Sequence, residues 1–220
     1  MDDTDQSAVT RRRFLAASGV GAVSAVGTAG CLGLGGSGGE TTATAVPETL
    51  PPPTRGDGDV TMTVYADFAC PACRTFHDDF VPPLESEYID PGIVTYEHRD
   101  FPLEMHAPRS FDAANAARAV QNATDDETFF AYVDSLFGNQ RRLSADVYQS
   151  LAGEVDADGE QVRAAAEDRI YRRTVSRDLD AGDEAGVRGT PTVFVDGQAP
   201  AELSLEAIRE AIETARSQDS

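Results

Sequence analysis

Two cysteines two residues apart, Cys70-Pro71-Ala72-Cys73, stand where a strand-forming run gives way to a helix-forming one. Ahead of them, VTMTVYADF (60–68) is rich in the Val, Thr, Tyr and Phe that suit a pleated strand. Behind them, RTFHDDF begins a helical pattern. A thiol pair at this spacing closes a small, strained disulfide ring that reopens cheaply. At a helix N-terminus the first sulfur also meets free backbone N–H groups and the positive end of the helix dipole, both of which favour thiolate over thiol. Disulfide exchange, metal binding and a structural bridge all remain open to such a pair at this level.

Charge narrows the partners. The 220 residues carry a net charge of −20, and all 18 basic residues are Arg, with no Lys. Apolar periodicity persists through most of 60–217, so the acidity belongs to a folded protein rather than a disordered one. An acidic surface without Lys is expected of an extreme halophile. In about 1 M salt the Debye length falls to about 3 Å, and self-repulsion within the compact state is screened. The same surface offers no basic stripe to phosphates, which argues against nucleic acid.

The N-terminal segment reads as an address and a tether. Thr10-Arg11-Arg12-Arg13-Phe14-Leu15 resembles a twin-arginine export signal, with Arg11 and Arg12 as the pair. A weakly apolar Gly- and Ala-rich stretch follows, blander than a transmembrane helix. It ends in Thr28-Ala29-Gly30-Cys31, which resembles a lipobox whose cysteine becomes the lipid anchor and so accounts for the third, unpaired cysteine. Residues 1–30 are therefore expected to be an export signal. Residues 31–57, Gly-, Ser-, Thr- and Pro-rich without periodicity, are expected to be a linker spanning about 25–30 Å when flexible. An exported, membrane-anchored domain at 58–217 follows.

Within that domain the expected order is a strand over 60–67 and a helix over 71–88 that Pro82-Pro83 should interrupt. A strand over 92–99 and a helical region over 107–185 come next. Then follow a short strand at 192–195, an Asp196-Gly197 turn with a return strand near 198–201, and a helix over 204–216 capped by Ser204. In the helical region Phe111, Ala114, Ala117, Ala119, Val120, Phe129, Phe130, Tyr132, Val133, Leu136 and Phe137 read as core, and the charge run 169–184 as a solvated helix face.

DFACPACRTFH, HRDFPL and RGTPTVFVDG occur in that order, and together they resemble the DsbA-like branch of the thioredoxin superfamily over about 57–217. The resemblance implies an α/β thioredoxin fold interrupted by an all-helical insertion, a redox-active Cys70–Cys73 disulfide with Pro71 and Ala72 in its loop, and a cis-proline at Pro191 facing it. It also implies that the backbone of Thr190 pairs with a substrate strand and that the proline keeps metal out. An X–Pro bond takes the cis form at a cost of only about 0.5–1 kcal/mol, so Thr190-Pro191 suits that role. Many relatives carry a buried acid six residues before the first cysteine, where this chain has Val64; Glu97 is the candidate substitute.

The implied activity is thiol–disulfide exchange without a cofactor, with Cys70 as the attacked sulfur and Cys73 as the resolving partner. Partners would be proteins with cysteine thiols or disulfides, and a membrane redox protein for recycling. Outside the cell, oxidation of substrate thiols is the favoured direction. A reductase or isomerase would use the same residues, and a tethered binding domain with a structural disulfide is the alternative from another class. A zinc site built from Cys70, Cys73, His77 and either His98 or His106 lacks the second clustered ligand pair of structural sites, so no metal is expected. A c-type haem is excluded because residue 74 is Arg. His77 reads as an exposed helix residue rather than one that senses or assists the thiols, while His98 and His106 read as structural. Asp67 either caps the turn into the active helix or opposes the thiolate.

Overall fold

A computed structural model describes residues 47–218. Arg11, Arg12, Cys31, the signal over 1–30 and most of the expected linker lie outside the described residues. Four strands, β1 (Thr54–Arg55), β2 (Val60–Ala66), β3 (Val94–Asp100) and β4 (Thr192–Val195), form one sheet in the order β1-β3-β2-β4. β2 and β3 run parallel, while β4 is antiparallel to β2 and β1 to β3.

The helices are α1 (Pro71–Asp79), α2 (Val81–Leu84), α3 (Arg109–Ala123), α4 (Asp126–Gly138), α5 (Ala145–Glu154), α6 (Gly159–Asp168), α7 (Arg172–Glu184) and α8 (Leu205–Gln218). Helices α3 to α7 lie between β3 and β4 in the chain, so a parallel pair, a helical insertion and an antiparallel strand follow one another as in an interrupted thioredoxin fold.

Register decides what each face of the sheet meets. Val60, Met62, Val64 and Ala66 of β2 lie beside Val94, Tyr96, His98 and Asp100 of β3, and all eight are buried. The intervening Thr63 and Glu97 pair with each other on the opposite, half-buried face. Helix α4 covers the buried face with Phe129, Phe130, Tyr132, Val133, Leu136 and Phe137, every one buried. Each such side chain contributes about 1.5–3 kcal/mol on leaving water.

Several expectations need correction. The linker stops short of residue 57: Leu50 is buried, its N–H donates to Thr174 Oγ1 at 3.0 Å, the Pro53 carbonyl accepts from His98 N at 3.0 Å, and β1 pairs with β3. The Pro-rich run has few backbone donors to satisfy, so it lies extended along the domain. The helix after the cysteines breaks at Phe80, ahead of the prolines. Pro82 and Pro83 then fall in the first turn of α2, where a missing N–H costs nothing. A π-turn over Glu85–Ile89 completes the segment.

The return strand near 198–201 does not form. Asp196 and Gly197 make a tight turn with positive φ at both, and a single bridge joins Val195 to Gln198. Pro200 has no N–H with which to extend the ladder. Phe111 is half-buried, with the Arg169 guanidinium 5.1 Å from its ring, rather than core. The charge run is not a purely solvated face either, since it buries Tyr171, Thr174, Val175, Asp178 and Gly182. Ser204 caps α8 as expected, its Oγ accepting from Ala207 N at 3.1 Å.

Candidate active site

β2, an interior strand, ends at Ala66, and the turn Asp67–Cys70 that follows closes with Cys70 N donating to the Asp67 carbonyl at 3.0 Å. Cys70 is the N-cap of α1, in extended conformation, and Pro71 opens the helix. Cys70 is 7% exposed and Cys73, one turn further in, 1%. The two are not bridged.

Their surroundings push the two thiols apart. Cys70 is lowered from 9.0 to about 5, chiefly by a hydrogen bond from Cys73. Burial opposes this, and Thr190 and the backbone N–H groups of Cys73 and Ala72 reinforce it. Cys73 moves strongly upward because it is buried and because its proton serves Cys70. One sulfur is therefore an anion near neutral pH and the other holds its proton.

The Thr190–Pro191 bond is cis, as is Ala107–Pro108. The Thr190 carbonyl lies 3.4 Å from Cys70 Sγ. The Thr190 hydroxyl is buried and unpaired, and its dipole favours the ionised form of either sulfur.

Two residues that sequence reasoning left undecided or missed hold the loop. Asp67 is a buried hub: Oδ1 accepts from Ala69 N at 2.7 Å, while Oδ2 accepts from Leu103 N at 3.2 Å and Ser110 Oγ at 3.0 Å and meets His106 Nδ1 at 2.6 Å. It thus caps the turn as one alternative required, and it ties that turn to the β3–α3 connection through His106. Asp67 N also lies 3.4 Å from Cys73 Sγ. Gln140, after α4, donates from Nε2 to the carbonyls of Phe68 at 3.0 Å and Cys70 at 2.9 Å. No local motif marks Gln140, because both partners lie about 70 residues away in the chain.

Glu97 does not replace the acid missing at Val64. It lies on the opposite face of the sheet from Cys73, bonded to Thr63 Oγ1 at 3.4 Å and Arg99 Nε at 2.8 Å. His77 is not a free surface histidine. Its Nδ1 meets Asp78 at 3.1 Å and its Nε2 meets Asp134 at 2.9 Å, and the ring packs on Phe137 at 4.7 Å. Burial lowers its pKa, yet the two carboxylates prevail and raise it. Of the residues weighed for zinc, His77 and His106 are committed to carboxylates. No metal-holding group of three or more His, Cys, Asp or Glu occurs among the described residues.

Behind His98 lies a buried ionic network. Arg118, fully buried, reaches Asp100 Oδ2 and Asp178 Oδ2, each at 2.6 Å, and Arg99 Nη1 meets Asp178 Oδ1 at 3.2 Å. It locks the insertion to β3 from α3 and α7.

A helix-capped Cys-x-x-Cys with one acidic thiol, facing a Thr-cis-Pro on a thioredoxin sheet, defines a thiol–disulfide exchange site. A thioredoxin family model matches residues 54–214, and the chain belongs to that family. The chain is 28% identical over 166 residues to the probable disulfide bond formation protein D of Bacillus cereus, an alignment covering 72% of this chain and 75% of that one. Crystal structures of oxidised BdbD from Bacillus subtilis and of Chlamydia trachomatis DsbA superpose with TM-scores of 0.69 and 0.68. Their identities are 24% and 18%; the first match covers 74% of this chain and 91% of BdbD, the second 80% and 97% of the DsbA chain. The fold is therefore DsbA-like, with its helical insertion, and the protein is a thiol–disulfide oxidoreductase.

Proposed function

We propose that this protein is an extracytoplasmic oxidant that forms disulfides in exported proteins through a Cys70–Cys73 redox disulfide. A substrate thiolate attacks Cys70, Cys73 leaves, and a mixed disulfide to Cys70 results. The second substrate thiolate then attacks the substrate sulfur of that bond, the substrate disulfide forms, and Cys70 departs as thiolate. The observation that carries this reading is the acidic Cys70 thiol. A sulfur ionised near pH 5 is a good leaving group, and stabilising it favours the reduced enzyme, the mark of an oxidant. The disulfide-forming relative in Bacillus cereus supports the same direction.

Thr190 and Pro191 are the residues on which a substrate strand would lie, next to Cys70, with Pro71 and Ala72 as the exposed lip of the loop. Arg11 and Arg12 would direct export, and Cys31 would carry a lipid that holds the domain at the membrane near its recycling partner. The acidic, Lys-free surface suits work in molar salt. The test is a pair of variants. Cys70→Ser should abolish oxidation of a reduced peptide dithiol in molar salt while circular dichroism is unchanged; Cys73→Ser should accumulate mixed disulfides with exported proteins. Retained oxidation by Cys70→Ser would refute the assignment.

A further inference from the structure

The exchange reaction treats its two sulfurs unequally. Cys70 departs as a stable thiolate, but Cys73 is 1% exposed and must gain a proton whenever the disulfide opens and lose it whenever the disulfide closes. Cys73 lines a cavity of about 20 Å³ between the sheet, α1 and α4, room for one water molecule. Val64, Ala66, His77, Tyr96, His98 and Arg55 are among its other walls.

Of the two histidines there, His77 has both nitrogens held by Asp78 and Asp134. His98 is 1% exposed and stands beside Val64 in the parallel register. Its ring is stacked on Phe68 at 5.4 Å. Its Nε2 lies 3.2 Å from Asp100 Oδ1. Burial works against an Asp100 carboxylate, but Arg118 and His98 outweigh it and hold its pKa low. Asp100 is therefore an acceptor, Nε2 is the donor, and Nδ1 is the nitrogen left to exchange a proton. Nδ1 makes no hydrogen bond among the described residues.

The geometry points to His98, oriented by Asp100, as the proton shuttle for Cys73, acting through the shared cavity. This rests on the exchange reaction proposed above. On opening, the substrate thiolate forms a bond to Cys70 Sγ, the Cys70–Cys73 bond breaks with its electron pair on Cys73, and the proton on His98 Nδ1 passes to that sulfur. The products are the mixed disulfide, a Cys73 thiol and neutral His98, with one negative and one positive charge cancelled. Closing reverses each transfer. Besides Asp100, the charged or titratable groups around the ring are Cys73 and His77 of α1, Tyr96 of β3, Arg55 of β1 and Arg118 of α3, with Asp178 of α7 behind Arg118.

The test separates the two half-reactions in molar salt. Opening is followed by stopped flow as a monothiol attacks the oxidised protein across pH 5–9. Release of Cys70 is followed in a Cys73→Ala protein preloaded with the same monothiol and attacked by a second thiol. His98→Gln is expected to slow opening by about 100-fold or more and to flatten its pH profile, while release of Cys70 keeps its rate. Val64→Met, which fills the cavity and retains His98, should slow opening as well and serves if His98→Gln does not fold. Opening at the wild-type rate and pH profile, or equal slowing of opening and release, overturns the shuttle. Absence of opening in the wild-type protein would overturn the exchange reading itself.

Discussion

Replacing Cys73 by Ala should make Cys70 less acidic, and the structure sets the size of the change. The largest contribution holding the Cys70 thiol at about 5 is the hydrogen bond that Cys73 donates to it. A hydrogen bond to a charged group is worth about 1.5–3 kcal/mol, and each pKa unit corresponds to about 1.36 kcal/mol. Loss of the donor therefore moves the midpoint up by about 1–2 units. The S–H group is a weak donor, which favours the lower end, a midpoint near 6. The backbone N–H groups of Ala72 and Cys73 and the Thr190 hydroxyl survive the substitution and keep the thiol below its ordinary range. The assay is the rate of iodoacetamide alkylation, or the ultraviolet absorbance of the thiolate, from pH 3 to 10 in molar salt. These interactions act at contact distance, so a Debye length of about 3 Å leaves them largely intact.

The same shift has a consequence for stability. The folded pKa lies below the unfolded value of about 8.5, so the thiolate stabilises the reduced protein fully above that value and progressively less as pH falls through about 5. The reduced protein should gain stability over its Cys70→Ser variant between those limits as pH rises. A Cys73→Ala midpoint equal to the wild-type one, or a wild-type midpoint near 8 to 9, would refute the account of how Cys70 is tuned.

Two further outcomes follow from the packing and the surface. Arg118→Met leaves Asp100 and Asp178 buried without their guanidinium and should cost about 3–5 kcal/mol at neutral pH, a large share of the 5–15 kcal/mol typical of a domain. The loss should shrink on acidification as those carboxyls protonate; a change below about 1 kcal/mol in denaturant unfolding would contradict the network's role. Dilution from about 1 M to about 0.1 M salt lengthens the Debye length from about 3 to about 10 Å and should lower the melting temperature or loosen the fold. Unchanged circular dichroism and melting in dilute buffer would count against adaptation to molar salt.

The chain alone determined the parts whose information is local. The strand–Cys-Pro-Ala-Cys–helix junction, the Thr190-Pro191 step before TVFV and the apolar stripe of α4 are each written within about a dozen residues, so the order of elements could be read directly. Tertiary structure decided whatever depends on which face of the sheet a side chain takes and on partners distant in sequence. Glu97 and His98 are neighbours in the chain, yet the alternation of β3 sends one toward Arg99 and the other toward the cavity of Cys73. Asp67 became a hub, and Gln140 a clamp on the active-site loop, only when residues 36 to 72 positions away were folded against them. Asp178, in a run that reads as solvated, is buried because Arg118 of α3 and Arg99 of β3 neutralise it there. The reactive pair and most of its acidity are thus set by local sequence, since Cys73 and the backbone N–H groups of Ala72 and Cys73 lie within three residues of Cys70. The Thr190 contact and the cavity beside Cys73 come from long-range packing, where burial makes every hydrogen bond and charge count for more.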